Sequence, residues 1–85
     1  MKNRLDVRMA LRICDKTTRY GEKAGESYHL HGVTVEPLVD GYSVAVQDAQ
    51  SKLLLQFHNR YQLDSEDEQA MTQFLQRLEW IDQHY

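Results

Sequence analysis

The spacing of apolar residues changes twice along this 85-residue chain, and that change constrains the fold more than any other feature. Near the start, Leu5, Met9, Ala10, Leu11, Ile13, Cys14 and Thr17 share one broad arc at helical spacing, with Val7 beside them. Arg4, Arg8, Arg12, Asp15, Lys16 and Arg19 occupy the opposite arc. The pattern predicts an amphipathic helix over about residues 4–20, with Asn3 as its N-cap. Gly21 and Gly25 in the stretch GEKAG (21–25) predict a left-handed stop and a loose connector.

From Ser27 to Leu63 the period drops to two. Tyr28 and Leu30 alternate with His29 and His31, and Val33 and Val35 flank Thr34, until Pro37 marks this run as an edge or irregular strand. Residues 42–47 and 52–58 form the clearest hairpin, with Tyr42, Val44 and Val46 on one strand and Leu53, Leu55 and Phe57 on the other. Beyond it, Ser65 and Glu68 stand at capping-box spacing, and Ala70, Met71, Phe74, Leu75, Leu78, Ile81 and Tyr85 share a helix face. The expected fold is therefore α+β: helix, three-stranded antiparallel meander, helix. Placing both helices on one face of the sheet buries every amphipathic surface at once.

The length leaves room for a single domain, residues 1–85, with a thin core. A 41% hydrophobic and 27% charged composition argues against disorder. Apolar runs are no longer than Leu53-Leu54-Leu55, far short of a membrane helix. Asp6, Arg8, Arg12 and Asp15 interrupt any secretory leader, and a lone Cys14 fits a reducing compartment. The expectation is a complete, cytoplasmic protein running from Met1 to Tyr85.

The order of elements resembles that of the double-stranded RNA-binding domain. That family sets a lysine-rich cluster at the start of its second helix, whereas this chain has Ser65-Glu66-Asp67-Glu68, whose carboxylates repel phosphate. The layout carries over as an analogy and the binding residues do not. Read whole, the chain is similar to a family of small bacterial proteins of unknown function through LDVRMALRICDK (5–16), DGYSVAV (40–46) and FHNRYQLD (57–64). That resemblance implies no activity, ligand or catalytic residue.

Charge is unevenly distributed. Residues 1–25 hold seven Lys or Arg against three acids, and the remaining sixty hold three against ten. Arg4, Arg8, Arg12 and Lys16 repeat every fourth residue as a ridge, with Arg19 alongside. The ridge reads either as an anion- or partner-binding face, nucleic acid included, or as a solvated face partly paired with the acidic second helix. His29 and His31, two apart on one strand, together with His58 on another, offer three imidazoles to a metal; exposed histidines on a half-solvated sheet are the alternative. Trp80 points away from the apolar arc of its helix, and Leu54 lies on the polar sheet face; both are interface candidates, for a partner or a second copy.

Cys14 lies on an inward arc without a C-x-x-C partner and reads as an inert thiol. No nucleophile elbow, phosphate-cradling glycine loop or H-E-x-x-H is present, so neither enzymatic activity nor a cofactor is expected. The favoured function is a small protein-interaction or regulatory module. Nucleic-acid binding through the ridge and metal binding by the histidines are the alternatives.

Overall fold

A computed structural model describes residues 6–56 and 60–85. Helix α1 spans Val7–Tyr20; strands β1 (Glu22–Ala24), β2 (Ser27–Leu30), β3 (Val33–Pro37), β4 (Val44–Gln47), β5 (Ser51–Gln56) and β6 (Arg60–Ser65) follow; helix α2 spans Glu68–His84. The strands form one antiparallel sheet in the order β1-β2-β3-β4-β5-β6. The α+β class is as expected, but the meander has six strands rather than three. The likeness in order to the double-stranded RNA-binding domain lapses with that count.

Both helix starts lie further along the chain than the sequence suggests. Asp6 caps α1, its Oδ1 accepting the Met9 N–H at 2.8 Å, while Asn3 lies outside the described residues. Asp67 caps α2, its Oδ1 accepting the Ala70 N–H at 2.8 Å. Ser65 belongs instead to β6, where its hydroxyl meets that of Ser51 at 2.7 Å. An aspartate at either N-cap also sets negative charge against the positive end of the helix dipole.

Gly21 ends α1 without a left-handed turn: its φ is −84°. A Cβ there would sit 2.5 Å from the His29 carbonyl oxygen and 2.6 Å from that of Thr17, so close backbone approach is what requires glycine. The expected loose connector is strand β1, paired with β2 from Glu22↔His29 to Ala24↔Ser27. The run from Tyr28 to Val35 is two strands, not one. His31 (φ 51°) and Gly32 (φ 79°) both take left-handed backbone and fold it into a tight hairpin, the twist that suits two antiparallel strands. Pro37 does not mark an edge; it is the last residue of interior strand β3, where a missing N–H costs least.

One face of the sheet is mainly apolar, with Ser51 and Ser65 at one end of it. Val33, Val35, Val46, Leu53 and Leu55 form the core with Met9, Ala10 and Ile13 of α1 and Phe74, Leu78 and Ile81 of α2. Fully burying side chains of this size stabilises a fold by about 1.5–3 kcal/mol each relative to exposure. The helices divide the sheet between them: α1 lies against β2 and β3, α2 against β5 and β6, and the two touch each other. The opposite face carries His29, Thr34, Glu36, Ala45, Gln47, Lys52, Leu54, Gln56, Arg60, Gln62 and Asp64, the residues that alternate with the core set. No helix among the described residues is long and apolar enough to cross a membrane.

Candidate functional site

The basic ridge is largely engaged by carboxylates of the same molecule. Arg12 grips Asp82 of α2 with two parallel hydrogen bonds, Nε to Oδ1 at 2.8 Å and a terminal nitrogen to Oδ2 at 2.9 Å. Lys16 reaches the same residue, donating to its carbonyl oxygen and lying 3.3 Å from its Oδ1. The hydrogen bond from Arg12 holds the Asp82 carboxyl below the usual carboxylate range, with Lys16 adding to the effect. Arg19 pairs with Asp15 one turn back at 3.2 Å. Arg8 is exposed and has no ion pair among the described residues; Arg4 lies outside them.

The histidines do not meet. His29 is in β2, its Nδ1 2.8 Å from the Thr34 hydroxyl across the β2–β3 pair. His31 is in the turn rather than the strand, so the shared-face spacing expected of it fails, and its ring stacks on Trp80 at 4.0 Å. No group of three His, Cys, Asp or Glu able to hold a metal occurs among the described residues, and His58 lies outside them. Burial pushes the Cys14 thiol up to about 11, which keeps it protonated and unreactive at neutral pH.

Trp80 lies on the flank of α2 that faces the β2–β3 turn. Its indole is sandwiched between His31, at 4.0 Å and 12°, and His84, at 4.0 Å and 10°. The carbonyl of Trp80 accepts from His84 Nδ1 at 2.8 Å, which orients that ring. Arg77, one turn earlier, approaches Gly32 and pairs with Asp48 of the β4–β5 connection at 3.5 Å. Trp80 is still 38% exposed. Leu54 is half-buried on the helix-free face, with Ala45 of β4 and Gln62 of β6 as its cross-strand neighbours.

Asp40-Gly41 reads in the sequence as a turn into the central strand, and it lies in the loop between β3 and β4; the exposed apolar tip of that loop was missed. Asp40 organises the loop, its carboxylate accepting the N–H groups of Tyr42 and Ser43 at 2.8 and 2.9 Å; those bonds hold its pKa low. Val39 is fully exposed at the tip and Tyr42 is 70% exposed. An apolar residue beside Asp-Gly was the available signal.

These elements define an α+β protein in which two helices cover one face of a six-stranded antiparallel meander. Residues 5–85 match the family model described as "Protein of unknown function (DUF3081)", and the chain belongs to that family. No curated protein and no solved structure matches it.

Proposed function

We propose that the protein is a cytoplasmic, non-enzymatic interaction module that presents its sheet to another protein chain. The helix-free face of the six-stranded sheet carries this reading, because both helices spend their apolar arcs on the other face and leave Leu54 near the middle of a polar layer. An aliphatic side chain between Ala45 and Gln62, with Lys52 and Gln56 beside it on β5, is the composition of a contact that forms and releases, polar at the rim and apolar at its centre. Trp80 and the Val39 tip add apolar surface at other points. Nucleic-acid binding has less in its favour, since Arg12 and Lys16 already hold Asp82. A photo-reactive residue at position 54 should cross-link to a protein chain in cells, and the cross-link should weaken when Gln47 and Gln62 are changed to Glu. A position 54 that labels only with solvent refutes the reading.

A further inference from the structure

The two edges of the sheet are built differently. Edge strand β1 has three residues, Glu22, Lys23 and Ala24, all exposed; so short and charged an edge is a poor template for another strand. Edge strand β6 has six residues, RYQLDS, with no proline or glycine, and among the described residues β5 is its one strand neighbour. Exposure alternates along it: Arg60, Gln62 and Asp64 stand on the helix-free face, while Tyr61 and Leu63 lie half-buried on the helix side.

We infer that β6 pairs antiparallel with β6 of a second copy about a two-fold axis at Gln62, joining two six-stranded sheets into one. The choice of register follows from strand chemistry. Alternate residues of an edge strand point their N–H and C=O groups outward, so two identical edges can pair only with residues of like parity opposite each other. Centring on Arg60 or Asp64 opposes like charges, centring on Tyr61 sets Arg60 opposite Gln62, and centring on Leu63 sets it opposite Glu66, which lies past the end of the strand. Centring on Gln62 sets Arg60 opposite the second copy's Asp64, twice, and Tyr61 opposite its Leu63, twice. Paired residues share a face, so the helices of both copies stay on one side and the apolar layer runs on across the junction. The contact is isologous and closes at two chains, whereas β6 on β1 would propagate without end.

This pairing goes beyond the interaction reading: it uses the β6 edge rather than the face around Leu54, and its occupant is a second copy of the chain. Sedimentation of the whole chain over a concentration series tests it. The expected result is a mass that rises to twice that of the monomer. Arg60→Asp opposes two acids and Asp64→Arg opposes two bases, so each variant alone should dissociate about tenfold more readily. An equimolar mixture of the two should associate as the natural chain does, because every mixed pair again sets Asp against Arg. Amide exchange on the unaltered protein gives a readout independent of the variants: outward amides of β6 should become protected as concentration rises, and those of β1 should not. A natural chain that stays monomeric, a mixture no more associated than its components, or β6 exchange independent of concentration overturns the pairing. If position 54 still cross-links to a different protein, the interaction reading survives that loss; if it does not, both fall.

Discussion

The two flanks of helix α2 are held by different physics. Toward α1 the surface contact is mainly ionic: Asp82 takes Arg12 and Lys16, and the Arg12 side chain remains 52% exposed. The Tyr20 and Tyr85 rings, 5.4 Å apart, add an aromatic contact at the helix ends. Toward the strand connections it is mainly aromatic and conformational, with the Arg77–Asp48 ion pair beside it. There Trp80 lies between two imidazoles while Arg77 crosses the glycine of a left-handed turn. Ion pairs near water contribute little and tolerate displacement. Stacked rings and a turn with positive φ at two successive residues demand particular geometry. The buried arc of Phe74, Leu78 and Ile81 sets where α2 lies; the turn flank adds a contact of particular geometry on one side and the ionic flank a displaceable one on the other.

The largest expected effect is on the aromatic flank. Trp80→Ala removes both stacked contacts and part of the cover over the β2–β3 turn, and should destabilise the fold by about 2–3 kcal/mol. Urea unfolding measures it, and a loss below 0.5 kcal/mol, about the ordinary surface scatter, would sink the distinction between the flanks. Gly32→Ala comes next. Its φ of 79° disfavours any L side chain, and the new methyl would lie 2.7 Å from an Arg77 nitrogen. Because that nitrogen ends a flexible side chain, the backbone cost dominates, about 1–2 kcal/mol. Gly32→Ala combined with Arg77→Ala should recover little of that loss; full recovery would mean that crowding, not backbone conformation, is what the glycine avoids.

Smallest is the ionic flank, and it has its own signature. Asp82→Asn should cost about 0.5–1 kcal/mol at neutral pH and low salt. The folded-state pKa of Asp82 lies below its unfolded value, so the stability it contributes is complete above about pH 4 and disappears as pH falls through the folded value. Natural chain and variant should therefore converge in acid, and also in about 1 M salt, where charges are screened within a few ångström. The Trp80→Ala deficit should persist at high salt. A salt-insensitive Asp82→Asn deficit would show that α1 and α2 are held there by packing alone.

What could be read from the chain divides along similar lines. Both helices and the alternating strands around Val44–Val46 and Leu53–Leu55 were legible, because their periods are local and strong. Strand β1 was not: Glu22, Lys23 and Ala24 are all exposed, and only pairing with β2 makes them a strand. The β2–β3 hairpin was not read as one: its two-residue turn, His31-Gly32, takes left-handed backbone at both positions, and His-Gly signals such a turn less plainly than Asn-Gly or Asp-Gly. Trp80 points off the apolar arc, yet a turn about fifty residues earlier in the chain reaches it. Asp82 has no mark in the sequence as the anchor of the basic ridge, for Arg12 lies seventy residues away.

From its residues alone the chain determined that it would be α+β, with amphipathic helices at either end of an alternating middle, since hydrophobic spacing is a property of neighbours. The tertiary structure decided the number of strands, which edge stays open, and which partners the Arg12, Trp80 and His31 side chains find. Those outcomes depend on hydrogen bonds and contacts between segments far apart in the chain, whose energies do not exist until the sheet brings them together.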